Sequence, residues 1–409
     1  MKNQVGHFFQ QIFLGVLVGG FAGGSAATFL FLLNWVTDYR ESHPLLIWAM
    51  PLGGLMTGFM YWHFGKAASG GNVLVIDAIH DPKKGVPLRM APLILVSTVL
   101  THLFGGSAGR EGAAVQMSAS LSVQLAGAFH LTDKDRRILL MAGTGAGFGA
   151  TVGAPWAGFI FGLEVLRLKG DRLFAALECW VASFVGYGFT RWIGAPHPDL
   201  TAVRIPDLNF YFLVGVLLVG ISSGVVARGF IALTHAIQKS LARLSIFPPL
   251  VPAGMGMVLP ILYFWEGSLK YAGLGLSTIE SALHSQVSIL DPIYKWVFTG
   301  LTVGSGFKGG EYVPLVFIGS TLGNALGQAL ALPQGFLAAL GYVAVFGGAA
   351  QTPLACACLA MELFGSSIGP FALVACGLSF WLAGEQGIYH RSERLPPRGA
   401  SSRKVVSTK

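Results

Sequence analysis

The sequence predicts an all-α polytopic membrane protein whose two related halves are inverted repeats of tilted and broken transmembrane helices. Three observations lead there: a shortage of charge, apolar stretches along the whole length, and an internal repeat held in register.

Of 409 residues, 53% are hydrophobic and 11% charged, against roughly 25% charged in an ordinary soluble domain. So few charges leave a water-facing surface of this size uncovered. Apolar runs recur at Ile12 to Trp35, Leu45 to Phe64, Leu93 to Phe104, Ile138 to Leu166, Phe210 to Leu233, Phe336 to Leu363 and Pro370 to Leu382. Several reach the roughly 20 residues that a spanning helix needs. Others are shorter and interrupted by Gly and Pro, which points to discontinuous helices, tolerated in a bilayer where irregular backbone is buried or lines an aqueous cavity. The 56 glycines fit that picture.

A net charge of +8 raises the question of nucleic acid. The cations sit at segment edges and in a tail carrying Arg391, Arg394, Arg398, Arg403, Lys404 and Lys409, where they meet lipid headgroups and set orientation, so no nucleic-acid partner is expected. Cys179, Cys356, Cys358 and Cys376 all lie in apolar runs, which argues against a disulfide framework. Cys356-x-Cys358 lacks a nearby His and reads as packing. Neither a metal centre nor a cofactor is expected. His80, His102 and His235 are scattered, and no nucleophile–base constellation marks an intramembrane enzyme. The first apolar run reads as a membrane helix rather than a signal peptide.

The repeat is the most informative feature. Gly106-Ser107 with Gly112 returns as Gly304-Ser305 with Gly310, each pair enclosing a cation, Arg110 or Lys308. Farther on, Gly149, Pro155, Ala157 and Glu164 match Gly347, Pro353, Ala355 and Glu362. Positions 106 and 304, 155 and 353, and 164 and 362 each differ by 198. A weaker echo links Ile76-Asp77 to Ile279-Glu280. The expected organisation is a first membrane repeat over 1–205, a second over 206–389, and a short basic, disordered cytoplasmic tail over 390–409.

Transporter repeats of this kind place the substrate between the halves, on the N-termini of broken helices, whose unsatisfied amides and positive dipole ends attract anions. In Gly105-Gly106-Ser107-Ala108-Gly109-Arg110-Glu111-Gly112, the glycine-rich turn puts Glu111 in the first turn of a helix at membrane depth. An ionisable group there is costly and is by default functional. One reading makes Glu111 a helix cap paired with Arg110. The other lets it compete with a small anion for the same amides and carry a proton when it leaves them. The second-half turn runs Gly304-Ser305-Gly306-Phe307-Lys308-Gly309-Gly310-Glu311-Tyr312-Val313-Pro314, and its Glu311 is not equivalent to Glu111 under the repeat. Glu164 and Glu362 read mainly as structural helix ends with polar or cationic partners.

Gly109-Arg110-Glu111-Gly112, the Gly304 to Pro314 segment, Ala154-Pro155-x-Ala157-Gly158 and Gly387-Ile388-Tyr389 together resemble the CLC family of anion channels and proton-coupled exchangers, in the right order over nearly the whole chain. The resemblance implies a homodimer with one pore in each subunit. Asn72 stands where chloride-selective members carry an anion-coordinating Ser, Val165 where chloride exchangers carry a proton-transfer Glu, and Gly306-Phe307-Lys308-Gly309-Gly310-Glu311 followed by Pro314-Leu315-x-Phe317-Ile318-Gly319 departs from the chloride pattern. These features resemble the bacterial fluoride/proton antiporter branch, with Val313 departing from the Thr expected in some of its members.

The implied function is proton-coupled fluoride export, conferring fluoride resistance, by a multi-pass protein of the bacterial inner (plasma) membrane. Glu111 would be the gating and proton-transfer carboxylate. Asn72, the amides of Glu311 and Tyr312, and the hydroxyl of Tyr389 would bind the substrate. Asn72 could instead be a helix cap, and Tyr389 an aromatic anchor at the membrane interface. A chloride/proton exchanger and a passive anion channel of the same fold are the alternatives. The transported partners would be fluoride and protons.

Overall fold

A computed structural model describes residues 2–389 apart from 82–83, 166–172, 199, 201–202, 208 and 245. The basic tail expected over 390–409 therefore lies outside the described residues. What is described is helical, joined by turns and short 3-10 segments, and its strand pairing is a single isolated bridge.

Six helices among the described residues are long and apolar enough to cross a membrane, including Phe8–Ser42 and Phe210–Ala242. Others are too short to span alone, such as Gly71–His80, Pro155–Glu164 and Pro353–Phe364. The long apolar runs of the sequence are broken where the local signals break them. The run that begins at Ile138 takes in most of the Asp133–Val152 helix, a left-handed Gly153 and then the Pro155–Glu164 helix. Its counterpart splits into Gln334–Ala350 and Pro353–Phe364 around Gln351, whose φ is also positive, at 63°. Proline opens both second segments at the helix position where no amide hydrogen is needed. Thr132 and Asp135 form a reciprocal capping box on the Asp133–Val152 helix, and Asn209 caps the Phe210–Ala242 helix by accepting from the Phe212 amide at 2.8 Å.

Glu164 and Glu362 reveal how the halves are related. Glu362 lies near the end of the Pro353–Phe364 helix of the second half, yet its two carboxylate oxygens accept from the amides of Trp156 and Ala157, at 2.9 and 2.8 Å, in the first half. Glu164 reciprocates by accepting from Leu354 and Ala355 at 3.0 and 2.7 Å. Each acid closes the N-terminus of the other half's short helix. Two equivalent helices that touch head to tail at both ends run antiparallel, so the repeat is inverted. The expectation of structural ends holds, and the partners are backbone amides rather than cations, because first-turn amides have no acceptor of their own. A carboxylate there also faces the positive end of the helix dipole.

The interior is packed from both halves. Phe148 and Phe346, again 198 positions apart, stack with centroids 5.8 Å apart and planes 9° off parallel. The outside carries large exposed apolar side chains, among them Trp192, Phe210, Phe264, Trp265 and Trp381, as a lipid-facing surface does. With this fold and these spans the chain is a multi-pass membrane protein.

Replacing Glu362 or Glu164 with Ala removes two charge-assisted hydrogen bonds and strands two amides. We expect about 3 kcal/mol of destabilisation for either, read as a lower thermal unfolding midpoint in detergent, with Gln recovering part of it. An unchanged midpoint for both Ala variants would show that the swapped caps contribute nothing.

Candidate functional site

Two glycine-rich turns enter the interior from the two halves and meet. Gly109 and Gly310 pair as an isolated antiparallel bridge, each amide donating to the other's carbonyl at 2.6 Å. The Glu111–Ser122 and Tyr312–Leu330 helices start immediately after these glycines, so two sets of first-turn amides face one small region. Glycine at 310 is required by close approach: a methyl there would sit 2.7 Å from the Gly112 amide nitrogen and 3.1 Å from that of Glu111. Any side chain at this position would cover the amides it now leaves open.

Glu111 is the first residue of its helix and 1% exposed. The Arg110 Nε donates to its Oε1 at 3.1 Å, and the Arg110 backbone amide donates to Oε2 at 3.3 Å. The carboxylate thus has the arginine partner of one reading and the helix-start position of the other. It faces a cavity of about 210 Å³ whose lining includes Arg110, Glu280, Tyr312, Val313 and Tyr342. Val313 puts a methyl surface where a hydroxyl was looked for. Lys308, the repeat counterpart of Arg110, takes a different partner: its Nζ lies 4.3 Å from the centroid of the Tyr61 ring.

Asn72 is the second residue of the Gly71–His80 helix and makes no capping hydrogen bond, so the capping reading fails. Its Nδ2 points at the other helix start, because a methyl at Gly112 would lie 3.1 Å from it. On this side lies a second, much smaller cavity of about 10 Å³, room for about one water-sized species. Asn72, Thr144, Phe161, Val165 and Tyr389 contribute to its wall.

Tyr389 is 4% exposed, its ring standing edge-on to Phe161 at 6.2 Å. The neighbouring Ile388 amide donates to the Ala349 carbonyl at 2.9 Å and fixes the segment. A tyrosine this buried is not an interfacial anchor. Tyr312 is 2% exposed; its ring packs edge-on against Phe148 and Phe346, and its hydroxyl lies 3.1 Å from that of Tyr342. Glu311, half-buried, is the residue just before the Tyr312–Leu330 helix, and its side chain does not cap that helix.

All five residues singled out from the sequence therefore gather around the paired turns. Glu111 and Tyr312 line one cavity, Asn72 and Tyr389 line the other, and Glu311 sits beside the bridge. Sequence reasoning passed over the aromatic packing of Phe148, Phe161 and Phe346, and also Thr144. Its only trace there is a lone hydroxyl in the run Gly143-Thr144-Gly145-Ala146-Gly147.

Inverted halves, helix starts meeting in the interior and a buried carboxylate on one of them define a polytopic anion-transport protein. Residues 53–384 match the family described as voltage gated chloride channel, and the chain belongs to that family. It is 43% identical, over 383 residues, to a chloride/fluoride channel protein of Pseudomonas syringae pv. tomato, covering 92% of this chain and 85% of that one. It is 27% identical to the H(+)/Cl(-) exchange transporter ClcA of Cronobacter sakazakii, covering 86% and 81%. Among solved structures, a CLC-type fluoride/proton antiporter superposes with a TM-score of 0.89 at 32% identity, covering 93% of this chain and 97% of that one. A slow cyanobacterial Cl-/H+ antiporter shares the fold with a TM-score of 0.78 at 21% identity, covering 93% and 95%.

Gly310→Ala should break the pairing of the turns. Its added methyl meets backbone rather than a yielding side chain, and we expect a loss of about 2 kcal/mol or more, seen as a lower unfolding midpoint and a reduced monodisperse yield. Wild-type behaviour would mean that the turns separate without cost.

Proposed function

We propose that this protein exports fluoride from a bacterial cytoplasm in exchange for protons, across the inner membrane, and so confers fluoride resistance. The observation that carries the reading is Glu111, buried at a helix start whose amides suit an anion as well as they suit a carboxylate. Ionised, Glu111 is held by Arg110 and by the positive end of its helix. A proton arriving through the 210 Å³ cavity removes that attraction, and the neutral side chain leaves the amides to fluoride arriving past Asn72 and Tyr389. Exchange follows because one region serves two occupants in turn.

Three features favour fluoride over chloride. Asn72 offers two N–H donors where a hydroxyl offers one, which matters for a small ion that gives up its water reluctantly. The cavity beside Asn72 has room for about one water-sized species. Val165 also lines that cavity, so no second carboxylate competes for its donors. The chloride/fluoride channel relative and the fluoride/proton antiporter structure support the same choice. Amides of Glu311 and Tyr312 complete the path on the second half.

Two copies of the chain would form the working unit. Glu164 and Glu362 are each only half-buried, and Leu354 and Trp156, whose amides they cap, and Met361, next to Glu362 in the chain, are exposed apolar side chains. Carboxylates so placed are costly against lipid, and a second copy would cover them.

Purified protein in liposomes, followed with fluoride and pH electrodes, tests the reading. Fluoride flowing down its gradient should drive protons uphill, chloride should do so far less, and Glu111→Gln should abolish proton movement. Proton pumping that survives Glu111→Gln would remove the assigned role. Equal chloride and fluoride coupling would make the protein a chloride/proton exchanger, and anion flux without proton movement in the wild type would make it a passive channel. Light scattering should return the mass of two chains.

A further inference from the structure

One buried hydroxyl on a residue that lines the small cavity has no partner within the protein. Thr144 lies on the Asp133–Val152 helix and is 1% exposed, yet its Oγ1 makes no hydrogen bond. Threonine inside a helix ordinarily donates to the carbonyl one turn back, and Thr151 on the same helix does so, to Gly147 at 2.8 Å. The Thr144 side chain has instead given up that bond while lining the cavity shared with Asn72 and Tyr389. A buried polar group left unsatisfied is costly, and a cavity with room for one water-sized species is where its partner belongs.

We propose that Thr144 is a third side-chain ligand of the transported fluoride, completing with Asn72 and Tyr389 the donor set of the small cavity; this rests on the fluoride reading above. The rest of that wall is Val75, Ile76, Val115, Phe161 and Val165. These apolar side chains offer no hydrogen bond, so Asn72, Thr144 and Tyr389 are the lining residues that carry groups able to bond an ion there. The Thr144 hydroxyl donates a hydrogen bond to the ion, the Asn72 amide supplies N–H donors, and the Tyr389 phenol supplies another O–H. A donor set of this kind holds a small, charge-dense halide more tightly than a large one, so Thr144 contributes to selectivity as well as affinity.

Two variants of the full chain test the assignment, with sodium fluoride titrated calorimetrically into detergent-solubilised protein. Thr144→Val keeps the volume and removes the hydroxyl, and it should weaken fluoride binding about tenfold. Thr144→Ser retains the donor and should stay within about threefold of wild type. Thermal unfolding separates a ligand from a structural group. Without fluoride, Thr144→Val should unfold at or above the wild-type midpoint, because the unpaired hydroxyl is gone, while the rise in midpoint that fluoride produces should shrink. A Thr144→Val protein that binds and transports fluoride like wild type overturns the inference and leaves the fluoride reading standing. A midpoint that falls in fluoride-free buffer for Thr144→Val and recovers in Thr144→Ser makes the residue structural and also overturns it. A wild-type protein that moves no fluoride at all removes the reading and the inference together.

Discussion

The architecture depends on helix-start amides that have no acceptors within their own helices and lie where water is scarce. Every short helix that begins inside the bundle creates this problem, and each needs an acceptor from elsewhere. At Pro155 and Pro353 the acceptors are the carboxylates of Glu362 and Glu164, supplied across the halves. At Glu111 the nearby carboxylate belongs to the helix itself and is held by Arg110. The same electrostatic demand is thus met in two ways, by a fixed lock between halves and by a side chain at the edge of a cavity.

That difference separates a fixed contact from one that the proposed function would move. The swapped glutamates each make two short bonds to adjacent amides, and moving either would strand two amides of the opposite half. Glu111 has its strongest partner on the preceding residue and open volume beside it, so it can leave without dismantling the contact between turns. The Gly109–Gly310 bridge keeps the two helix starts in register whatever Glu111 does. Phe148, Phe346 and Tyr312 pack directly behind them, and close-packed aromatic rings resist the small displacements that would blur the spacing of the amides.

Much of this was legible in the residues, for reasons that differ from part to part. The spacing of 198 survives because Gly, Pro and Glu at helix starts and ends have few substitutes, so the duplication is visible even though the apolar positions have drifted. Helix breaks near Pro155 and Pro353 follow from proline's missing donor. The inverted relation could not be read from loop charges, which are sparse, and it emerges from the reciprocal glutamate caps. Glu111 declares itself because a carboxylate in an apolar stretch is rare, and Asn72 because it departs from a known pattern. Thr144 was silent for a physical reason. Helical threonines normally satisfy themselves locally, and only the structure reveals that this one has not.

The pocket beside Asn72 admits a single water-sized particle at a time. Hydrogen ions migrate quickly through liquid by hopping along files of hydrogen-bonded molecules, and a compartment for one breaks such a file. On the proposed route, the halide path would therefore also be an insulator. Acid outside the cell would have to arrive by way of a titrating side chain, and the gradient would not drain through the conduit that it powers.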